Sequence, residues 1–476
     1  MVRRRLRLSA TAASLAPEFA RVRQQLHAPG EFPAAVIGEA EAAAATPRLP
    51  GEDRRDLPLV TIDPPGSTDL DQAMHLARRR LGGYRVHYAI ADLAAFVTPG
   101  GALDGEAHGR GLTVYCPDTR LPLHPSVLSE GAASLLPGKE RPAVLWTLDL
   151  DADGALVRTD VRRALVRSRA RLDYPAVQRS LDRGSSEDLY VLLREIGRLR
   201  RQQERARGGV SLNAPEQDVV ADGDGWTLRY RLSLAVEDDN AQISLLTGAA
   251  AAAIMLEGRI GVLRTMPPAD PRDLARLRHQ AAALHIDWPH RLGYADVLAG
   301  LDPRRPRTAA FVVEALSLFR GAAWTPFDGA VPSVTTHAAV GGPYAHVTAP
   351  LRRLVDRYGL EVCLALHAGR EVPTWVREAL PALGQEMAAA DHRAKAIEHG
   401  CTDLVEAAVL STHVGETFAG VLVEPDRVQL TDPAVVGPVD GSEALVGHDV
   451  RVRLVTADIA SRQVRFTLGV NAPATR

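Results

Sequence analysis

The feature that most constrains this chain is a cluster of aspartates beside a short strand pattern. The apolar segment 59–62 predicts a β-strand, and Asp63 follows it directly. Turn formers occupy residues 64–67 (Pro-Pro-Gly-Ser), and Asp69 and Asp71 come just beyond them. Such a turn can bring three carboxylates together in space. The fold must therefore accommodate three negative charges near one another.

Carboxylates at close range need a cation. Two like charges about 4 Å apart repel by roughly 4 kcal/mol at an effective dielectric constant of 20. Ligands that are all oxygen favour Mg²⁺, with Mn²⁺ as an alternative. A pair of such ions can activate water and neutralise the charge that develops on a phosphodiester. The cluster predicts metal-dependent phosphodiester hydrolysis, whereas the competing interpretation is that the aspartates only cap turns and helix starts.

Composition is typical of a globular protein. Of the 476 residues, 46% are hydrophobic and 24% are charged, and this length predicts more than one domain. Lysine and arginine total 56 against 58 aspartates and glutamates, which gives a formal charge of -2. A net charge near zero argues against a generic polyanion binder. Any nucleic-acid site must then be a local patch.

The cysteines and the apolar segments predict the cellular setting. Cys116, Cys363 and Cys401 are too few and too scattered for a disulfide framework, and no CxxC pair is present. A reducing cytoplasm fits this pattern. No run of 18 apolar residues occurs, and the basic start at residues 1–8 lacks the apolar stretch of an export signal. We expect a cytoplasmic monomer without a membrane association.

Apolar periodicity predicts an α+β protein with three parts. The parts are a helical N-terminal region (1–50), either a helix-turn-helix or a simple brace, a large mixed catalytic domain (51–411) and a small C-terminal β-barrel (412–476). A β-hairpin is expected within 73–97, around Gly82 and Gly83. Helices are predicted at 186–207, 239–262, 271–285, 307–322, 350–368 and 375–410. Barrel strands are predicted at 417–423, 427–430, 450–455 and 463–468, with a fifth at 444–446.

Several sequence blocks resemble one known family. Thr61-Ile62-Asp63 with Asp69-Leu70-Asp71 resembles the signature of the ribonuclease II (RNB) family of exoribonucleases. Further blocks follow in the family's order over about 57–410, and they lie at 86–92, 103–107, 110–115, 121–125 and 344–353. Ordered blocks over such a length are far more specific than one acidic motif. The turn-capping interpretation loses most of its weight.

The resemblance implies a fold and an activity. The fold would be an RNB-type catalytic domain followed by an OB-fold RNA-binding barrel, in a short form without paired cold-shock domains. The activity would be hydrolysis of single-stranded RNA in the 3′-to-5′ direction, with release of nucleoside 5′-monophosphates in a magnesium-dependent reaction. A narrow channel would admit only an unpaired strand.

The resemblance also assigns catalytic roles. Asp63, Asp69 and Asp71 would hold the metal and arrange the attacking water, and Asp71 would be the indispensable carboxylate. Arg352 would clamp the scissile phosphate, because a guanidinium offers rigid, permanently charged donors. Its neighbour Arg353 could equally face the core or solvent.

Three more residues would contact RNA. Tyr115 and Tyr174 resemble family tyrosines that stack on bases, a contact worth roughly 1 to 3 kcal/mol per base. The alternative for each is a buried tyrosine with a satisfied hydroxyl group. Glu398 aligns with a family glutamate near the terminal ribose, although a lone helical glutamate is usually only solvated.

Two positions depart from the family pattern. Gln72 stands in place of a fourth aspartate, so that one ion rather than two would bind tightly unless Asp92 or the acidic run 237–239 compensates. Leu212 stands where a stacking phenylalanine is common, which predicts a looser clamp on the 3′ end.

Alternatives remain for the basic segments and for the function. Segments 158–171 and 194–207 would line the RNA channel or form ordinary exposed surfaces. Gln72 supports a second function, that of a catalytically impaired RNA-binding protein. A third is a DNA exonuclease or a regulator that uses the N-terminal helices.

Overall fold

Helices and strands alternate along most of the chain. The computed structural model describes residues 15–185, 187–211, 216–222, 225–302, 305–316, 318–441 and 446–469. The helices are α1 (Ala16–Gln25), α2 (Ala34–Ala45), α3 (Ala102–Arg110), α4 (Tyr174–Asp182), α5 (Asp188–Ala206), α6 (Ala235–Gly258), α7 (Pro271–Ala283), α8 (Tyr294–Ala299), α9 (Pro306–Leu316), α10 (Leu354–His367) and α11 (Thr374–Leu410). The strands are β1 (Val60–Asp63), β2 (Gln72–Arg78), β3 (Tyr84–Ala91), β4 (Val114–Tyr115), β5 (Arg120–Leu121), β6 (Glu140–Leu150), β7 (Leu156–Arg167), β8 (Ala170–Asp173), β9 (Glu216–Asp222), β10 (Gly225–Arg231), β11 (Ile260–Thr265), β12 (Ala323–Asp328), β13 (Thr336–His337), β14 (Gly342–Pro343), β15 (Thr417–Glu424), β16 (Arg427–Leu430), β17 (Val436–Asp440), β18 (Asp449–Asp458) and β19 (Gln463–Leu468).

A six-stranded sheet organises the central part of the chain. Its strand order is β7-β6-β3-β2-β1-β8, and β1 and β8 are its parallel pair. The hairpin predicted around Gly82 and Gly83 is confirmed as β2 and β3. Gly83 has φ +78°, and a Cβ atom there would lie 2.1 Å from the carbonyl oxygen of Leu150, so only glycine fits this turn. The strands β6 and β7 were not predicted, because β6 is almost continuously buried and lacks polar alternation.

Helices pack against this sheet and form the main core. The helices predicted in the middle of the chain are all present, with shifted ends, and α8 is an additional short helix. By length and composition α6 could span a membrane, with a mean hydropathy of 1.3, but half of its apolar window is buried within the protein. Its apolar character is therefore that of a core helix, packed against α5 and α10.

A closed five-stranded barrel follows α11, which confirms the predicted fold class. Its order is β15-β16-β17-β19-β18, and its parallel pair is β17 with β19. Four of its strands lie where they were predicted. The fifth is β17, whereas residues 444 and 445 of the predicted segment 444–446 lie outside the described residues and Val446 lies in a turn. The strand β17 was not predicted because it contains Gly437 and Pro438, and both residue types are uncommon inside strands.

The N-terminal helices pack on later parts of the chain. Phe19 and Val22 of α1 are buried against α11, and a Cβ atom at Gly400 would lie 3.0 Å from Val22. The second helix, α2, packs against α3. The choice between a helix-turn-helix and a simple brace stays a prediction.

Candidate active site

The loop between β1 and β2 carries the three aspartates. Asp63 ends β1, and Gly66 turns the chain with φ +84°. The hydroxyl group of Ser134 donates to the carbonyl oxygen of Thr68 (2.7 Å) and accepts from the amide of Leu70 (2.9 Å). Leu70 is fully buried between Asp69 and Asp71. Packing of this one leucine therefore sets where the carboxylates on either side of it lie.

Asp71 is the most buried of the three acids. Its side chain accepts a hydrogen bond from the amide of Leu351 (2.7 Å), and its second oxygen lies 3.6 Å from Nε of Arg352. Burial raises the pKa of Asp71 well above its ordinary value, against the opposing effects of Arg352 and the Leu351 amide. Arg352, the sequence-predicted phosphate ligand, thus contacts the predicted indispensable carboxylate.

The adjacent arginine has a different role. Arg353 donates to both oxygens of Asp356 at 2.5 and 2.8 Å, and Asp356 also accepts from the amide of Ala349 (2.7 Å). The Asp356 side chain is fully buried, and these bonds fix the turn that precedes α10. Arg352 is left 45% exposed at that turn. The choice left open between core and solvent is therefore decided, with Arg353 inside and Arg352 accessible.

Asp69 is held by two residues of the hairpin formed by β4 and β5. Nη1 of Arg120 lies 2.6 Å from its carboxylate, and the hydroxyl group of Tyr115 lies 3.3 Å away. Arg120 also pairs with Glu130 at 2.6 Å. Sequence reasoning missed Arg120 and Glu130. The turn formers at 117–119 were the available signal, since a hairpin there places Arg120 opposite Tyr115.

Asp63 and Tyr174 meet because β1 and β8 are parallel. Asp63 is the register partner of Asp173, and Tyr174 follows it as the first residue of α4. The hydroxyl group of Tyr174 accepts from Asn240 (2.9 Å), and the charge of Asp63 contributes to a raised Tyr174 pKa after the larger effect of burial. Burial, and then the charge of Asp69, raise the pKa of Asp63 to about 7.

Three arginines balance the three carboxylates. Arg352 and Arg120 contact Asp71 and Asp69, and the charges of Arg171 and Arg352 oppose the rise in the Asp63 pKa. Within the part of the chain that the structure describes, no three acidic, histidine or cysteine side chains are grouped closely enough to hold a metal as they stand. One oxygen of Asp63, Oδ2, is buried and has no hydrogen-bond partner among the described residues.

Gln72 makes contacts that an aspartate could not. Its amide nitrogen donates to the carbonyl oxygen of Thr348 (2.6 Å), and its amide oxygen accepts from the hydroxyl group of Tyr88 (2.8 Å). The hydroxyl group of Thr348 in turn lies 2.8 Å from that of Ser244. Gln72 is thus part of a hydrogen-bonded link between β2 and the segment that leads to Arg352.

Two of the suggested compensating acids, Asp92 and Asp239, lie in other ion pairs. Asp92 pairs with Arg163 (2.7 Å), which also contacts Glu361, and Asp239 pairs with Arg201 (2.5 Å). Neither carboxylate is therefore free to replace the missing fourth aspartate. Leu212, the other departure, lies outside the described residues.

Glu398 lies on the exposed side of α11. Burial raises its pKa, against the charges of His399 and Lys395. Its role in binding the ribose stays a prediction.

The basic segments are largely engaged in internal contacts. In 158–171, Arg162 pairs with Asp160 (2.7 Å), while Arg171 donates to the carbonyl oxygen of Ser67 in the aspartate loop (3.1 Å). In 194–207, the buried Arg200 donates to the carbonyl oxygen of Gly154 (2.9 Å). Among the residues named here, Arg171 is the one next to the candidate site.

Comparison with known proteins agrees with this arrangement. The RNB domain matches residues 52–362, and the RNase II-type exonuclease C-terminal S1 domain matches residues 416–469. Ribonuclease R of Thermotoga maritima is 37% identical over 216 residues, which cover 43% of this chain and 30% of that protein. Ribonuclease R of Escherichia coli is 27% identical over 396 residues, which cover 78% of this chain and 48% of that protein. The chain thus spans less than half the length of either relative.

A solved structure shares the fold. Mycoplasma genitalium RNase R in complex with ribose methylated single-stranded RNA superposes with a TM-score of 0.83 at 18% identity, over 95% of this chain and 78% of that one. The predicted resemblance is confirmed at the level of both sequence and fold. Because the RNB domain accounts for more than half of its 476 residues, the chain belongs to the RNB family.

Proposed function

We propose that this protein is an exoribonuclease that hydrolyses single-stranded RNA from its 3′ end and releases nucleoside 5′-monophosphates. One observation carries the proposal: the accessible Arg352 lies against the buried Asp71, at a site that also holds Asp63 and Asp69. A phosphate that reaches Arg352 arrives beside the carboxylates. The names of the relatives, and the RNA bound to the Mycoplasma genitalium protein, support the choice of RNA as substrate.

The side chains of the site have complementary tasks. Tyr115, 44% exposed, offers a ring face for a base, and Tyr174 bounds the same site beside Asp63. Arg352 donates to the scissile phosphate and offsets the negative charge that develops on its oxygens. Because Asp71 already holds Arg352 in place, little reorganisation is needed when the phosphate arrives.

We propose Mg²⁺, with Mn²⁺ as a substitute, as the metal of this site. The donors fit a hard cation: all three are carboxylates, two are buried enough to have raised pKa values, and Oδ2 of Asp63 is buried without a partner among the described residues. Such a cation lowers the pKa of bound water and polarises the phosphodiester. Asp69 would release Arg120 in order to serve as a ligand, and Glu130 would then hold Arg120.

The test is a shortening assay with labelled oligonucleotides. Oligo(A) with a 5′ label and Mg²⁺ should yield a ladder of progressively shorter labelled products, whereas a 3′ label should appear at once as mononucleotide. A DNA oligomer of the same sequence should be shortened far more slowly if the site reads the 2′-hydroxyl group. RNA binding without shortening would contradict the proposal, as would equal cleavage of both oligomers.

A further inference from the structure

Two cysteines lie next to the hairpin that holds Asp69. Cys116 directly follows Tyr115, in the turn that joins β4 to β5, and it is partly exposed. Cys401 is buried on α11, which packs against β4. Although 284 positions separate them in the sequence, both cysteines belong to the same apolar cluster.

The fold brings the two cysteines together. Cys401 lies in the apolar cluster against which Cys116 packs, and each thiol shifts the pKa of the other. The amide of Cys116 donates to the carbonyl oxygen of Thr119 (2.9 Å), which closes the turn. Arg23 of α1 pairs with Asp118 of this turn at 2.6 Å. The turn that carries Cys116 is therefore fixed against both α1 and α11.

Cys116 has the surroundings of a reactive thiol. The hydrogen bond with Cys401, followed by the charge of Arg23, lowers the pKa of Cys116 against the opposing effect of burial. Cys116 is also partly exposed, so a small oxidant can reach it from solvent.

Cys363 provides the contrast within the same protein. It is fully buried on α10, its thiol donates to the carbonyl oxygen of Ala251 (3.8 Å), and burial raises its pKa. Nothing around Cys363 favours the thiolate. The difference between the sites is therefore one of surroundings and not of residue type.

We propose that Cys116 is a site of oxidative modification, at which peroxide links Cys116 to Cys401. The Cys116 thiolate attacks one oxygen of the peroxide, the O–O bond breaks, and the departing hydroxide takes up a proton to give water and a sulfenic acid. The Cys401 sulfur then attacks the Cys116 sulfur, the S–O bond breaks, and the hydroxyl group leaves as water with the Cys401 proton. Two thiols and one hydrogen peroxide thus give one disulfide and two waters.

The link acts on the residues next to the catalytic carboxylate, and this consequence rests on the proposed function. Closing the bond draws the sulfur atoms from contact to covalent distance, so the hairpin shifts toward α11. Tyr115 and Arg120, at the two ends of that turn, both contact Asp69. A small displacement of either residue changes the position of Asp69 relative to bound RNA, and catalysis is sensitive to such displacements.

The chemical part of the proposal is tested on the full chain by peptide mapping. The reduced protein is treated with limiting hydrogen peroxide, alkylated, and digested without reduction. We expect a Cys116–Cys401 cross-linked peptide that dithiothreitol removes, with Cys363 unoxidised. In Cys401→Ser, whose hydroxyl group can still donate to Cys116, Cys116 should instead be trapped as sulfenic acid by dimedone, and Cys116→Ser should yield neither product. Recovery of both cysteines as separately alkylated peptides, or oxidation of Cys363 first, would overturn it.

The functional part is tested by oligo(A) shortening before and after oxidation. We expect oxidation to raise KM at least about fivefold, the equivalent of one base-stacking contact, and dithiothreitol to restore it. Cys401→Ser and Cys116→Ser should show no such reversible change. An oxidised protein that carries the mapped disulfide and shortens RNA at an unchanged rate would refute this consequence while leaving the modification site intact. Failure of the reduced protein to shorten RNA would instead count against the proposed function.

Discussion

At the scale of single residues, burial and opposite charge compete over the same carboxylates. Burial raises the pKa values of Asp63 and Asp71, whereas Arg352 opposes the rise at both. Asp69 is engaged by Arg120 and Tyr115. These carboxyl groups are therefore costly to ionise without a positive partner, and Arg352 and Arg120 supply that charge to Asp71 and Asp69.

Asp71→Asn should abolish hydrolysis and leave RNA binding largely intact. The asparagine can still accept from the Leu351 amide, so the local fold persists, but the charge that serves the metal and the transition state is lost. We expect kcat to fall by at least about 100-fold. Single-turnover shortening and filter binding of oligo(A) measure the two effects. Asp56→Asn, on a side chain that is 76% exposed, is the matched control, and comparable turnover by Asp71→Asn would contradict the assignment.

Gln72→Leu should destabilise the protein by about 1 to 3 kcal/mol, because the Thr348 carbonyl and the Tyr88 hydroxyl would lose their partner. Hydrolysis should also become slower, because Thr348 lies just before the turn that carries Arg352. Urea unfolding gives the first quantity and oligo(A) shortening the second. Gln202→Leu, on the exposed side of α5, should change stability by no more than about 0.5 kcal/mol. Equal effects of both substitutions would show that the hydrogen bonds of Gln72 do not contribute to stability.

At the scale of elements, short pieces of chain bring distant side chains together. The amide of Thr113 donates to the carbonyl oxygen of Arg352 (3.0 Å), and the amide of Leu354 donates to that of Gly111 (2.9 Å). These two hydrogen bonds join the segment before Tyr115 to the turn that carries Arg352. Gly111 has φ +73°, and a Cβ atom there would lie 2.4 Å from that of Ala390, so α11 also packs closely against this segment.

The junction of α11 with the barrel should respond to pH through Glu406. This buried side chain accepts from Gln217 (2.6 Å) and from the amide of Val436 (3.1 Å), and burial raises its pKa to about 7 from an ordinary value of 4.5. Between these values the folded state holds a proton that the unfolded state has released. The contribution of Glu406 to stability therefore falls as pH rises from about 4.5 to about 7, by an amount on the order of 3 kcal/mol.

Glu406→Gln tests this dependence, since the neutral amide keeps an acceptor for both partners and cannot ionise. Relative to the wild type, the variant should gain stability progressively as the pH is raised through that window. Urea unfolding at pH values from 4.5 to 8 measures the difference. A difference that is the same at every pH would rule out titration of Glu406 in this window.

At the scale of the whole molecule, α11 joins the parts of the structure. Its first half packs against β12 and α10 of the central part, and its second half shares one apolar cluster with α1 and the barrel. The cluster includes Phe19 of α1 and Phe466 of β19. The N-terminal helix, the central part and the barrel are thus held to a common element. A substitution that disrupts the packing of α1 should consequently destabilise the whole protein.

Phe19→Ala should lower the free energy of unfolding by about 3 to 5 kcal/mol. The ring is fully buried, and it lies edge-on to Trp226 of β10 with 5.6 Å between ring centroids, so its removal leaves a cavity where α1, α11 and β10 meet. Urea unfolding followed by far-ultraviolet circular dichroism measures the loss. Leu81→Ala, at a side chain that is 97% exposed, should change stability by no more than about 0.5 kcal/mol. A small loss of unfolding free energy in Phe19→Ala would show that the packing of α1 does not stabilise the protein.

Local sequence determined much of this protein. The strand before Asp63, the turn after it and the hairpin at Gly82 and Gly83 depend on neighbouring residues, whose backbone preferences act over a few positions. The helices and most barrel strands likewise follow from apolar periodicity. The family resemblance then identified the carboxylates and Arg352, because their spacing within the chain is itself the signal.

Only the tertiary structure decided which side chains meet across long separations. The bond from Gln72 to Thr348 spans 276 positions, and neither residue carries a local sign of the other. The same holds for Arg120 beside Asp69 and for Cys116 and Cys401, which pack at one apolar cluster. Such pairs form because packing of the sheet and of α11 brings distant segments together, and side-chain packing is a property of the folded whole.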